Sequence, residues 1–224
     1  MPATRHAAVR VRTAARRKPS STEWLARQLN DPYVSEAQRL GYRSRAAFKL
    51  IELDDRFRLL RPGQRVVDLG CAPGGWAQVA VERTGADIGR GAVVGIDVAE
   101  TVPIAGAVIL RADIHNPGIT LAIKAELGDL ADLVLSDMAP STIGHAATDH
   151  LRIVALAEAA FAVASELLRP GGAFVAKVFR GGAEGVLLAE LKRAFADVRH
   201  AKPPASRAQS AESYVTAKGF RSLR

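Results

Sequence analysis

The sequence predicts an α/β protein: a seven-stranded, mainly parallel sheet with helices on both faces and an antiparallel last strand. Three observations predict it. Apolar runs alternate with helical patterns along the 224 residues, the signature of a parallel sheet covered on both sides. One apolar run closes on an acid and a glycine-rich turn, Val67-Asp68-Leu69-Gly70-Cys71-Ala72-Pro73-Gly74-Gly75-Trp76. A strand, a tight turn, a helix and a later acid form the layout of a nucleoside-binding domain. Finally, residues 202–213 join the last two strand segments through Pro203-Pro204. No helical crossover fits there, so the final strand has to run antiparallel.

Taken in order, residues 44–60 read as a helix, because Leu50, Leu53, Phe57 and Leu60 fall on one face. Ser44 is its expected N-cap and Pro62-Gly63 its stop. Strands are expected at 65–69, 92–97, 107–111, 133–137, 173–179, 197–201 and 214–217. Helices are expected at 76–84, 119–127, 150–168 and 184–195. The third carries the clearest stripe, Val154, Ala157, Phe161, Ala164 and Leu168. Residues 1–22 hold Arg5, Arg10, Arg12, Arg16, Arg17 and Lys18 and no acid. They read as a disordered basic arm, ahead of a single domain over 23–224. Three roles are open for the arm: contact with RNA phosphates, none at all, or mitochondrial targeting.

Composition narrows the classes. The net charge of +8 favours polyanionic partners. No stretch approaches the ~20 uninterrupted apolar residues of a membrane span. Cys71 is the only cysteine, which excludes internal disulfides and cysteine-built zinc clusters. It reads as an inert small residue of the turn, in a reducing compartment. No histidine pairs with a second ligand at metal spacing, so no metal is expected.

Charged residues interrupt the apolar runs at strand ends, where burial of a charge is costly. Asp97 closes one run, Asp137 another, and Lys177 sits inside 174–179. Open α/β sheets bind ligands at the carboxyl ends of their strands. An antiparallel last strand begins at that same edge, which brings Glu212 there too. Lys49, beside the apolar stripe of its helix, can lean over the edge. Each has a plainer reading as a solvated border or loop residue. Asp68 is expected to hydrogen-bond the glycine turn, and Trp76 to be either core or the wall of an adenosine pocket. Gly70 and Gly74 have three residues between them, where the dinucleotide fingerprint has one between its first two glycines. The ligand is therefore not expected to be NAD.

Asp68-Leu69-Gly70-Cys71-Ala72-Pro73-Gly74-Gly75-Trp76, Ser136-Asp137-Met138-Ala139-Pro140, Lys177-Val178-Phe179 and Glu212-Ser213-Tyr214 resemble the motifs of the FtsJ/RlmE family of ribose 2′-O-methyltransferases. Arg43-Ser44-Arg45-Ala46-Ala47-Phe48-Lys49-Leu50 resembles the family's N-terminal motif, and the likeness runs from about residue 30 to 218. The resemblance implies a Rossmann-like, S-adenosylmethionine-dependent methyltransferase fold. It implies a catalytic Lys-Asp-Lys-Glu set falling on Lys49, Asp137, Lys177 and Glu212. Its cofactor contacts fall on Gly74, Trp76, Asp97, Asp113 and Asp137. Asp97 would hold the ribose hydroxyls of S-adenosyl-L-methionine, and Asp113 would lie near the adenine. Gly70, Gly74 and Gly75 would let the turn pass under the methionine part. The implied reaction is 2′-O-methylation of a uridine in large-subunit ribosomal RNA by a monomeric bacterial cytoplasmic enzyme that supports ribosome assembly and needs neither membrane nor metal.

Within that reading, alignment of the attacking oxygen with the donor's methyl is the protein's main task. A free lysine titrates near ~10.4. Lys177 is therefore read as a cation that steadies developing negative charge on the 2′-oxygen; a neutral lysine acting as general base is the alternative. Arg43, Arg45, Arg56 and Arg58 are candidates for RNA phosphates, the 2′-OH being what marks RNA. Rival readings are the same transfer to a transfer-RNA loop or an mRNA cap, a non-catalytic RNA- or cofactor-binding protein, and an NAD-linked oxidoreductase.

Overall fold

The computed structural model describes residues 9, 10, 13, 16, 18–140, 146–179 and 185–221. Seven strands form one sheet: β1 (Arg65–Leu69), β2 (Ala92–Asp97), β3 (Ala107–Arg111), β4 (Ala131–Ser136), β5 (Leu168–Phe179), β6 (Phe195–Ala201) and β7 (Glu212–Phe220). Their spatial order is β3-β2-β1-β4-β5-β7-β6. β1 to β5 pair in parallel, while β7 runs antiparallel to both neighbours, as the short 202–213 connection demands. The chain steps outward from β1 through β2 to β3, then returns and steps the other way from β4 to β5. The strand order thus reverses between β1 and β4, where Leu69 lies opposite Ser136. That crevice is where open α/β sheets take ligands.

Period-two alternation divides the core into two layers. Val67, Leu69, Val134, Phe174 and Val215 face α5 (Ile119–Leu127), α6 (Ala146–Leu167) and α7 (Gly185–Ala194). Val66, Leu133, Leu135, Val175 and Tyr214 face α3 (Ala46–Phe57) and α4 (Gly75–Thr84). β4 is buried at every position, Asp132 and Ser136 included, as a central strand covered on both faces.

Several expected boundaries move. β5 begins at Leu168, so it takes over the last residue of the expected long helix. Glu212 is the first residue of β7 rather than a preceding loop residue. Residue 184, the expected start of α7, lies outside the described residues. Two helices were not anticipated, α1 (Pro19–Leu29) and α2 (Pro32–Leu40). Their apolar positions are too few to mark a period, but their punctuation was readable. Each opens with a proline, whose missing N–H is harmless there. Asp31 caps α2 by accepting from the Tyr33 amide at 3.1 Å, and Gly41 closes it in the left-handed region. Most of the basic arm lies outside the described residues. α1 starts inside the expected boundary at residue 22, and the Asn30 side chain exchanges hydrogen bonds of 2.7 and 3.0 Å with the Val9 backbone.

Ser44 does not cap α3. The cap position is Arg45, and the buried Ser44 hydroxyl has no hydrogen-bond partner among the described residues. It is wedged instead against α4, where a Cβ on Gly75 would stand 2.4 Å from it. α3 ends at Phe57, because Arg58 turns left-handed at φ 53°. Asp54 then fixes the exit toward β1. Its Oδ1 accepts from the amides of Leu59 and Leu60 at 2.8 and 2.7 Å, and Arg83 pairs with Oδ2 at 3.3 Å. Replacing this buried side chain in Asp54→Ala strands two buried N–H groups, each worth ~1–3 kcal/mol when left unpaired. The expected loss is at least about 2 kcal/mol, or roughly 4–8 °C in Tm for a chain of this size; calorimetry of the variant checks it.

Candidate active site

The four charged residues expected at the sheet edge do converge. Lys49 projects from α3, and its Nζ donates to Glu212 Oε2 at 2.9 Å and lies 3.8 Å from Asp137 Oδ2. Lys177, near the end of β5, donates from Nζ to the Asp137 carbonyl at 2.6 Å and to Asp137 Oδ1 at 2.9 Å. Both lysines are buried, at 8% and 7% exposure. Asp137 follows β4 directly, where the chain leaves the sheet. Glu212 and Tyr214 share one face of β7, and Tyr214 is the register partner of Lys177. The Tyr214 hydroxyl donates to Asp137 Oδ1 at 2.6 Å, and its ring lies 5.7 Å from Lys49 Nζ. The expected charges missed this tyrosine. Alternation along Glu212-Ser213-Tyr214 would have found it, since residues two apart on a strand share a face.

Electrostatics fix the protonation of two members. Burial pushes the Asp137 carboxyl up, but the ammonium groups of Lys177 and Lys49 and the Tyr214 hydroxyl hold it below the usual carboxylate range. It stays a carboxylate. Burial, reinforced by Asp137 and Glu212, pushes the Tyr214 hydroxyl well above the ordinary tyrosine value. It stays a donor.

A cavity of about 660 Å³ opens beside this cluster at the β1/β4 crevice. Among the expected cofactor residues, Gly70, Asp97, Asp113 and Asp137 line it. So do His115, Met138, Arg152 and Leu156, which the sequence reading did not single out. Gly70 has to be glycine: at φ 78° a Cβ would come within 2.4 Å of Met138 Cγ. Asp113 Oδ1 accepts from the His115 amide at 2.9 Å, which holds its carboxyl below the usual range. Gly74, Gly75 and Trp76 are not part of the lining. Trp76 is 3% exposed and donates from Nε1 to the Ala46 carbonyl at 2.8 Å, which binds α4 to α3. A Cβ on Gly74 would meet Ile104 at 2.7 Å and Arg43 at 3.1 Å.

The glycine turn is held differently from the expectation. Among the described residues, neither carboxyl oxygen of Asp68 has a hydrogen-bond partner. Asp97 does the fastening: Oδ2 accepts from the Ala72 amide at 2.9 Å and Oδ1 from Ala99 at 2.8 Å. Asp68, fully buried near the end of β1, feels the Ala77 amide in the first turn of α4 in place of the turn's own amides. Arg43 clamps the turn from outside. Its guanidinium donates to the carbonyls of Pro73 at 3.4 Å, Pro103 at 2.6 Å and Val102. Arg45 pairs with Asp31 at 3.0 Å and donates to the Ala205 carbonyl at 2.5 Å. Arg56 stacks on Phe57. Arg43 and Arg45 therefore have internal partners in place of the phosphates expected for them. The Cys71 thiol is buried, and burial with the nearby Asp68 and Asp97 pushes it up to about 12. It is no nucleophile at neutral pH.

Comparison with known proteins agrees with this geometry. A protein of Paramagnetospirillum magneticum named ribosomal RNA large subunit methyltransferase E is 61% identical over 220 residues, spanning 97% of this chain and 90% of that one. A protein of the same name from Rhodospirillum rubrum is 61% identical over 216 residues, spanning 96% and 82%. The crystal structure of a ribosomal RNA methyltransferase from Plasmodium falciparum superposes with a TM-score of 0.72 at 31% identity, covering 81% of this chain and 100% of that one. Fold and likeness together define an α/β methyltransferase, an enzyme that moves a methyl group from a donor. More narrowly, the chain belongs to the FtsJ-like methyltransferase family, which matches residues 42–220. No described helix is long and apolar enough to cross a membrane. Among the described residues, no group of three His, Cys, Asp or Glu side chains is placed to hold a metal ion.

Asp68 leads to a pH test. Burial, then the charges of Asp137 and Asp97, raise its carboxyl to about 8, opposed by the Ala77 amide. The unfolded value is ~3.9. The protonated form therefore supports the fold fully below about pH 4, and that support is lost as pH rises toward 8, by at most ~1.4 kcal/mol per unit. Asp68→Asn, neutral at every pH, should raise Tm more at pH 8 than at pH 5. An equal shift at both would mean that Asp68 is ionised throughout.

Proposed function

We propose that this chain transfers the methyl group of S-adenosyl-L-methionine to the 2′-hydroxyl of a uridine in large-subunit ribosomal RNA. The observation that carries the reading is the largely shielded Lys49, Asp137, Lys177, Glu212 cluster at the mouth of an acid-lined cavity. The names borne by the relatives at 61% identity support the RNA target.

The cavity's chemistry fits this donor. Asp97, Asp113 and Asp137 line it and Asp68 lies close by, so it suits a ligand carrying positive charge. The same carboxylates repel the pyrophosphate of a dinucleotide, which disfavours the NAD reading. Asp97 would take the ribose hydroxyls and Asp113 the edge near the adenine, with Ile114, Met138 and Leu156 as apolar walls. The amides of Gly74, Gly75 and Trp76 open α4; first-turn amides have no partner within their helix, which suits a carboxylate. The donor supplies a methyl group already activated on a sulfonium.

What remains for the protein is orientation, exclusion of water and control of charge on the oxygen. Alignment of this kind contributes up to ~7–11 kcal/mol to a reaction. Lys177 is anchored through two of its three N–H bonds, both to Asp137. The third is left to aim at the 2′-oxygen and steady the negative charge that grows there. Lys49 bridges Glu212 and Asp137, which sets the spacing of the two carboxylates beside the ribose. Residues 1–22 serve as a basic arm on RNA phosphates, ahead of a methyltransferase domain over 23–224. Bacterial relatives favour a cytoplasmic setting over mitochondrial targeting of the arm.

The test is to map ribose methylation across total RNA in cells with and without this protein. One uridine of the large-subunit ribosomal RNA should lose its mark. Loss confined to transfer RNA or mRNA caps would redirect the target, and no loss anywhere would leave a non-catalytic binder. In vitro, Lys177→Ala should lower turnover by ~10²-fold or more, while S-adenosyl-L-methionine still raises the melting point. Lys177→Arg with near-normal turnover would remove any special role for the lysine amine.

A further inference from the structure

Glu212 is held from two sides. Lys49 takes Oε2, and on the other side the Ser206 hydroxyl donates to Oε1 at 2.7 Å. Ser206 is 4% exposed and sits in the loop between β6 and β7. That loop is built rather than loose, because both neighbours of Ser206 are tied to the helices beneath. The Ala205 amide donates to Glu52 Oε2 at 2.7 Å, and the Ala205 carbonyl accepts from Arg45 at 2.5 Å. Glu52 is steadied in turn by the Tyr33 hydroxyl at 2.9 Å. Arg207 pairs with Asp31 at 3.3 Å, on the same oxygen that Arg45 engages at 3.0 Å. The Ser206 amide closes a turn onto the Pro203 carbonyl at 2.8 Å. Downstream, Lys202 Nζ gathers the carbonyls of Ala208 and Ser210 at 3.1 and 2.6 Å, and the Ser210 hydroxyl accepts from the Glu212 amide at 3.1 Å.

We infer that Ser206 is a positioning residue for methyl transfer: its hydroxyl, presented by a loop strapped to α2 and α3, fixes the Glu212 carboxylate so that Oε2 faces Lys49. Glutamate has three rotatable side-chain bonds, and a single contact to a flexible lysine leaves it several arrangements. A second, opposed hydrogen bond selects one. Lys49 then keeps its place between Glu212 and Asp137, and the orientation of Asp137 toward Lys177 is preserved. Without the hydroxyl, a buried carboxylate oxygen loses its donor, and Glu212 turns to recover one. Ser206 touches no reacting atom, so its effect passes through Glu212 alone. The inference rests on the catalytic reading of the charge cluster given above.

Ser206→Ala should lower the maximal turnover of RNA by about tenfold, the scale of a lost hydrogen bond to a charged group. The affinity for S-adenosyl-L-methionine should not change, because Ser206 lies apart from the cavity. Ser206→Thr restores the hydroxyl and should recover most of the turnover; Ser206→Val has the shape of threonine without it and should not. The Thr/Val pair reads the hydroxyl at constant shape even if the alanine variant fails to fold. Equal turnover in the two, or full turnover in Ser206→Ala, overturns the inference. Glu212→Ala separates the two levels of the argument. If it turns over normally, the catalytic reading of the cluster fails; if it is inactive while Ser206→Ala is normal, only the role of Ser206 does.

Discussion

Two ammonium groups and two carboxylates lie nearly out of water at one sheet edge, and this is possible only because every charge has a partner. An unpaired buried charge costs several kcal/mol, and a buried pair breaks even only when its remaining lone pairs and protons are satisfied. Here Asp137 has Lys177, Lys49 and Tyr214, and Glu212 has Lys49 and Ser206. Much of the surrounding structure follows from that requirement. α3 must lie close enough for Lys49 to cross the edge, which explains the tight α3/α4 contact at Gly75 and the Trp76 bond to Ala46. β7 must run in reverse, or Glu212 would emerge at the opposite rim. The cluster is also electrically balanced, so it neither draws in nor repels a phosphate chain; attraction of RNA falls to the rest of a strongly basic molecule.

The donor cavity and the charge cluster are served by separate restraints. Asp97 and Arg43 fix the glycine turn through backbone amides and carbonyls. Asp31, Arg45 and Glu52 fix the β6–β7 loop on the far side of the cluster. The two sets meet at Asp137, which lines the cavity and anchors Lys177. Cavity and cluster are thus held by different parts of the chain and joined at one residue.

Much of this was legible in the sequence, for identifiable reasons. A parallel sheet demands long apolar runs, so an acid or a lysine at the end of one, such as Asp137 or Lys177, stands out. The direction of β7 followed from a connection too short for a helix. What stayed hidden depended on contacts that have no periodicity. Ser44 looked like a cap by its type, yet its surroundings were decided by how close α4 lies. Arg43 and Arg45 looked like solvent-facing cations because arginine usually is; only the fold shows carbonyls and Asp31 already waiting for them. Asp97, at the end of β2, took the fastening of the turn that Asp68 was expected to do, because Asp68 is fully buried. Tyr214 and Ser206 carry no charge, so a search for charged residues passed over them.

The order of the pieces along the chain has a consequence for biogenesis. The cavity wall is supplied by residues 70–156, whereas the charge cluster waits for Glu212, later in the chain. A ribosome makes the chain in that direction, so the segments that line the cavity precede the one that completes the cluster. A growing polypeptide therefore lacks the assembled cluster until β7 slots between β5 and β6. The formed cluster thus reports that β7 has taken its place in the sheet.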